Sequence, residues 1–183
     1  VRALKMHGGG PKVTAGQPLD RAYKEENLDL LRNGLDHLFH HLAIIHHFGV
    51  PAVVAVNRFV ADTNAELELI QQAVRTSNMA EDCVIANHWE MGGAGAVELA
   101  EAVMRAAEKP SRFHYLYPLD WSIKKKIEAI VTQVYGADGV DYSPEAEKKI
   151  DEFTRLGYAE LPICMAKTHL SLSHDQELKG VPK

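Results

Sequence analysis

The sequence predicts an α/β fold, a mostly parallel sheet with flanking helices, followed by a smaller helix-rich α/β segment. Three observations carry this. The run Pro51 to Val56 is apolar at consecutive positions, which suits a strand buried on both faces of a parallel sheet. Short apolar runs alternate with longer stretches whose apolar residues recur every three or four positions, the order of a parallel layer. Glycine clusters at Gly8, Gly9 and Gly10 and at Gly92, Gly93 and Gly95 punctuate the alternation, as turns at strand ends require.

Val1 to Lys5 reads as a first short strand, closed by a glycine turn. From about Tyr23 to His47, Leu28, Leu31, Leu35, Leu38, Leu42 and Ile45 form one stripe of a long helix. Gly49 and Pro51 end it, and the apolar strand follows, stopping at the polar cluster Asn57, Arg58 and Asp62. Thr63, Asn64, Ala65 and Glu66 match a capping box. The helix it opens turns Leu67, Ile70 and Val74 inward. Cys83 to Ala86 is another short buried strand, Asn87 to Gly95 a glycine-rich loop, and Ala96 to Glu108 a helix with Val97, Ala100, Met104 and Ala107 inward.

Composition shifts at Lys109, Pro110 and Ser111, dividing the chain into residues 1–109 and 110–183. In the second part Ser122 caps a helix burying Ile123, Ile127, Ile130, Val131 and Val134. Ser143 and Pro144 open another, with proline favoured at the first helical position, and Ala146, Ile150 and Phe153 share its face. Leu161 to Met165 reads as one more strand, and the tail after it is polar and turn-rich.

Bulk properties narrow the function. Of 183 residues, 46% are hydrophobic and 25% charged, an ordinary globular balance, and the net charge is −5. That argues against a general nucleic-acid binder, which is usually basic. No apolar run approaches the roughly 18 residues of a membrane span. Cys83 and Cys164 lie far apart without metal-type spacing, which suits a reduced compartment. The chain begins at Val1 rather than a methionine and stops at Lys183 without a closing helix, so it reads as an internal stretch of a longer protein.

The candidate chemistry gathers at strand ends, because ligands of open α/β sheets bind outside the carboxyl ends of strands. Asn57 stands at such an end. Its amide can read a base edge or another planar polar ligand, or it is a turn residue bonding local backbone. Phe59 either stacks on a planar ring or packs beneath the loop. Gly92, Gly93 and Gly95 either let the backbone approach a ligand or make a tight turn. Trp89 either joins a ligand wall or seals the core. The loop is followed by no Gly-Lys-Ser/Thr and does not match the full GxGxxG pattern. His37 and His41 stand four apart on the long helix, but with no HExxH glutamate and no evident third ligand they read as a solvated flank, and no metal site is assigned. Lys167 and Thr168 follow the last strand, where a lysine and a hydroxyl suit an anion or an ordinary solvated loop. Ser171, Ser173, His174 and Asp175 are too crowded for a nucleophilic triad. No catalytic set is complete.

Several stretches together resemble one family, formate–tetrahydrofolate ligase, also called 10-formyltetrahydrofolate synthetase, which also occurs as the carboxyl-terminal part of C1-tetrahydrofolate synthase. They are VRALKMHGGGP, EENLDLLRNGLDHLFHHLAIIHHFGVP, VVAVNRFVADTNAE, NHWEMGGAGAVELAEAV, KIEAIVTQVYGADGVDYSPEA and LPICMAKTHLSLSHD. They follow the family's order and span nearly the whole chain.

The resemblance implies a P-loop NTPase-like fold, with residues 1–109 as the second half of a nucleotide-binding core and 110–183 leading into the next domain. It implies ATP-dependent joining of formate to tetrahydrofolate through formyl phosphate, giving 10-formyltetrahydrofolate for one-carbon metabolism and purine biosynthesis. ATP, Mg²⁺ and tetrahydrofolate are the expected ligands, with a monovalent cation and a homo-oligomer in the full-length enzyme. No nucleic acid and no membrane are expected, and the compartment is cytoplasmic, or mitochondrial for an isoform. Asn57, Phe59, Trp89, Gly92, Gly93 and Gly95 become the nucleotide side of the site. Lys167 and Thr168 face either the folate cleft or the intermediate. The family's phosphate-binding loop would precede Val1. The resemblance therefore implies an inactive isolated chain with a sheet edge left unpaired. The alternative reading is a nucleotide- or folate-binding α/β module without chemistry.

Overall fold

In the computed structural model the elements follow the order α1 (Arg2–His7), α2 (Leu28–His47), β1 (Val53–Asn57), α3 (Asn64–Ser77), β2 (Asp82–Ala86), α4 (His88–Met91), α5 (Val97–Ala107), α6 (Ile123–Gln133) and α7 (Pro144–Arg155). The structure describes residues 1–14, 16–165, 172–173, 175 and 177–181. They fall into two units, one of Val1–Phe113 with Lys179–Val181 and one within His114–Leu178.

In the first unit β1 and β2 pair in parallel, from Val53 opposite Asp82 to Asn57 opposite Ala86. The crossover between them is α3. Thr63 caps it: its hydroxyl oxygen accepts the Glu66 N–H at 3.3 Å, while a Glu66 carboxylate oxygen accepts the Thr63 N–H at 3.2 Å. The predicted capping box is therefore present, and Leu67, Ile70 and Val74 are buried as expected. With Leu31 of α2, Val56 of β1 and Cys83 of β2 they make the core of this unit.

The first strand predicted by the sequence is instead helix α1. Arg, Ala, Leu, Lys and Met are all good helix formers, and a five-residue stretch is too short for periodicity to separate strand from helix. The helix lies against α2 with almost no space between backbones. A Cβ on Gly8 would sit 1.8 Å from the Leu30 carbonyl oxygen, and one on Gly34 would sit 1.9 Å from that of Leu4.

The long helix is confirmed but starts at Leu28 rather than near Tyr23. Asn27 caps it, its side-chain oxygen accepting the Leu30 N–H at 3.0 Å, while Arg21–Tyr23 form a separate 3₁₀ turn. Leu31, Leu35 and Leu42 are buried, whereas Ile45 at the far end of the stripe is exposed.

Strand β1 is covered on one face and open on part of the other. Val56 is buried in the core, while Ala55 and Asn57, pointing the opposite way, are exposed. The unbroken apolar run does not mean burial on both faces within this chain. Among the described residues the sheet has two strands, and the wider sheet of a P-loop NTPase-like fold is not seen.

The predicted inward face of the helix after β2 is also corrected. Helix α5 buries Ala102 and Ala106, while Val97 and Met104 are exposed, the latter at 66%. Alanines allow close approach to β2, against which α5 packs. The bulkier stripe is left outward.

In the second unit Ser122 caps α6, accepting the Lys125 N–H at 3.4 Å, and Ser143 caps α7, accepting the Ala146 N–H at 3.1 Å. Proline stands in the first turn of α7 as predicted. On α6 Ile123 is buried together with Ala129 and Lys126, while on α7 none of Ala146, Ile150 and Phe153 is fully buried. Leu161 to Met165 is not a strand. Side chains take its backbone bonds: the Ile163 N–H donates to the Tyr117 hydroxyl at 2.8 Å, and Lys126 Nζ donates to the carbonyls of Ala159 at 2.6 Å and Leu161 at 3.1 Å. No described helix is long and apolar enough to cross a membrane.

Candidate functional site

The carboxyl end of β1 builds the site. The ladder holds the Asn57 backbone against Ala86, and the next residue continues it, with the Arg58 N–H donating to the Ala86 carbonyl at 3.0 Å. The chain then turns sharply. Asp62 closes that turn: its carboxylate accepts the Phe59 N–H at 2.9 Å, and its own N–H donates to the Phe59 carbonyl at 2.9 Å. This leaves the Phe59 ring 46% exposed. Both Asn57 and Phe59 line one cavity of about 380 Å³, together with Val1, Arg2, Ala3, Ala55 and Val56. The Arg2 guanidinium lies over the Phe59 ring, 5.5 Å from its centre.

The second group of candidates follows β2 and does not line that cavity. What reads as a loop in sequence is two short helical turns, α4 and a 3₁₀ turn over Gly92–Ala96. Trp89 projects from α4 and is 76% exposed, so it does not seal the core. The reason for Gly95 is steric. The Asn87 N–H donates to the Gly95 carbonyl at 3.0 Å, and a Cβ on Gly95 would lie 2.3 Å from the Asn87 carbonyl oxygen. Gly92 has φ +57°, which favours glycine, while Gly93 has open space around it. Lys167 and Thr168 lie outside the described residues.

The histidines depart from the solvated flank expected for them. The His7 and His37 rings stack, centres 3.5 Å apart, and His37 Nε2 lies 3.2 Å from His41 Nε2. The Gly180 backbone joins both: its N–H donates to His7 Nδ1 at 3.1 Å, and its carbonyl accepts from His37 Nδ1 at 3.1 Å. These bonds assign the tautomers. His7 keeps a lone pair on Nδ1, and His37 carries its proton there. Burial, then the neighbouring His37, Lys179 and His41, push the His7 pKa down to about 4. Among the described residues no group of three or more His, Cys, Asp or Glu could hold a metal.

Sequence reasoning missed the buried ion pair Lys5–Glu66, at 2.6 Å. Glu66 was legible as the third residue of a capping box, but nothing local marks Lys5 as its partner. Nor does the sequence mark Arg2 as a neighbour of Phe59, a contact between distant segments.

Fold and site together define an α/β protein whose candidate ligand cleft lies at the carboxyl end of a parallel strand, where such folds bind ligands. The chain belongs to the formate–tetrahydrofolate ligase family, whose pattern it matches over residues 1–183. It is 54% identical over 182 residues to the cytoplasmic C-1-tetrahydrofolate synthase of Mus musculus, covering 100% of this chain and 19% of that protein. It is 52% identical over 183 residues to the mitochondrial monofunctional C1-tetrahydrofolate synthase of Homo sapiens, and 49% identical over 183 residues to the mitochondrial C-1-tetrahydrofolate synthase of Saccharomyces cerevisiae, with the same coverage. The chain thus spans 19% of the length of the curated relatives it matches.

Proposed function

We propose that this chain supplies one wall of the ligand cleft of an ATP-dependent ligase that joins formate to tetrahydrofolate. The reaction has two parts. Formate attacks the γ-phosphorus of ATP, giving formyl phosphate and ADP. The folate nitrogen then attacks the formyl carbon, phosphate leaves, and 10-formyltetrahydrofolate forms. Positioning and charge neutralisation dominate such chemistry. Family membership supports the reaction class. The observation that supports a role for this chain is the joint placement of Asn57 and Phe59 on one cavity at the end of β1.

In this reading Asn57 meets the edge of the adenine and Phe59 its face. Trp89, Gly92, Gly93 and Gly95 form a further part of the nucleotide side, and Lys167 and Thr168 meet folate or the intermediate. Mg²⁺ accompanies the nucleotide. Among the described residues no group of three or more His, Cys, Asp or Glu would hold it. A monovalent cation and a homo-oligomer belong to the same proposal, as does a cytoplasmic or mitochondrial setting.

The test is Asn57→Ala in the complete gene product. ATP affinity should fall by about tenfold, the worth of one good polar contact, with unchanged thermal unfolding. Unchanged ATP affinity would remove Asn57 from a nucleotide site. Weakened tetrahydrofolate binding instead would assign the same ring-binding position to the pterin.

A second reading, a nucleotide- or folate-binding α/β module without chemistry, is favoured for the 183 residues by themselves, whose sequence carries no Gly-Lys-Ser/Thr phosphate loop. Formation of 10-formyltetrahydrofolate by this chain alone would overturn it.

A further inference from the structure

We propose that Arg2 is a ligand-binding residue of this cleft, pairing its guanidinium with an anionic group carried by the ligand whose planar ring lies on Phe59. The inference rests on the reading of Asn57 and Phe59 as a ring-binding position. It adds the chemistry of the rest of the ligand: an aromatic heterocycle joined to a phosphate or carboxylate.

No carboxylate lines the cavity, and Arg2 is the charged side chain among its lining residues. Four other described arginines have polar partners. Arg21 pairs with Glu25, Arg32 with Asp29, Arg105 with Asp82, and Arg58 reaches the Asn64 side-chain oxygen at 3.4 Å. For Arg2 the contact is the Phe59 ring. The nearest acid in sequence to that ring, Asp62, accepts the Phe59 N–H through one carboxylate oxygen.

The guanidinium covers the ring face that a planar ligand would take. A ligand entering there displaces it. An exposed cation–π contact is worth less than a factor of about ten in affinity, so displacement costs little. A guanidinium moved to the rim can then bind a phosphate or carboxylate through two parallel N–H bonds, a stronger contact. Arg2 thus lies on the ring until a ligand displaces it, and then grips the charged end of that ligand.

The test compares Arg2→Ala and Arg2→Lys with Asn57→Ala in the complete gene product. The probes are ATP against adenosine, and tetrahydrofolate against a tetrahydropterin lacking the glutamate tail. Arg2→Ala should weaken one of the two anionic probes by roughly ten- to a hundredfold and leave its uncharged counterpart within about twofold. Arg2→Lys should restore part of the loss. Whether ATP or tetrahydrofolate responds identifies the anion as phosphate or carboxylate. Equal loss for charged and uncharged probes, or no loss for either anion, overturns the proposal. If Asn57→Ala weakens binding while Arg2→Ala does not, Arg2 alone fails. If neither changes any probe, the ring-binding position itself fails. Thermal unfolding of each variant separates a binding defect from a folding one.

Discussion

Lys5 and Glu66 form an ion pair at 2.6 Å with side chains 1% and 0% exposed, joining the first helix to the start of the third. Further bonds hold both partners. Lys5 Nζ also donates to the Glu25 carbonyl at 2.7 Å, and Glu66 also accepts the N–H groups of Asn27 at 2.9 Å and Thr63 at 3.2 Å. One carboxylate thereby ties α1, the cap of α2 and the cap of α3.

Removing one partner leaves a buried charge alone. Lys5→Met should destabilise the first unit by about 3–5 kcal/mol, read by urea denaturation. A loss under about 1 kcal/mol would mean that water reaches Glu66 in the folded state. Burial raises the Glu66 pKa, but the bonds from Lys5, Asn27 and Thr63 outweigh it, and the net shift is downward from 4.5. A depressed carboxyl stabilises the fold above its unfolded pKa, and that stability is lost as pH falls through the folded value. The wild-type chain should therefore lose stability below about pH 4.5, and Glu66→Gln should flatten that part of the curve.

His7 makes a second acid-sensitive point at higher pH. Its folded pKa is about 4 against an ordinary 6.5, so the unfolded chain takes up the proton first. The stability linked to neutral His7 is complete above 6.5 and is lost as pH falls from there to about 4. The loss should be on the order of 3 kcal/mol. Protonation at Nδ1 also cancels its bond from the Gly180 N–H. His7→Asn, which keeps an acceptor without a titrating ring, should remove most of the slope between pH 6.5 and 4 in equilibrium unfolding. An unchanged slope would place the titration on another group.

The crossing of α1 and α2 requires glycine. Gly34→Ala would set a Cβ 1.9 Å from the Leu4 carbonyl oxygen, and one of the two helices must move. A loss of about 1–3 kcal/mol or more is expected. Gly139→Ala, with nothing within 4 Å, should stay within about 0.5 kcal/mol. Equal thermal shifts for the two variants would contradict the close crossing.

The two cysteines should react at different rates. Burial, with a smaller push from Asp82 and an opposing pull from Arg75, raises the Cys83 thiol to about 11, whereas Cys164 is exposed. At pH 8 iodoacetamide should modify Cys164 and leave Cys83 intact until the chain is unfolded. Peptide mapping showing rapid Cys83 alkylation in the native protein would mean that the core around β2 opens readily.

What the sequence determined by itself is what depends on near neighbours. The apolar run of β1, the cap at Thr63, the buried face of α3 and the proline start of α7 follow from residues within a few positions of one another. So does the place of Asn57 at the end of β1, with Phe59 just after it. The sequence motifs also carried the family.

Tertiary structure decided the rest, because it turns on which surfaces meet. RALKM can be strand or helix, and packing on α2 through Gly8 and Gly34 made it helix α1. Helix α5 has two apolar stripes, and close packing on β2 selected the one with alanines. Lys5 and Glu66 are 61 positions apart in the chain, and so is no pairing that local spacing could reveal. The same holds for Arg2 on Phe59 and for His7 on Gly180. Each is a contact between distant segments, set by how the backbones pack.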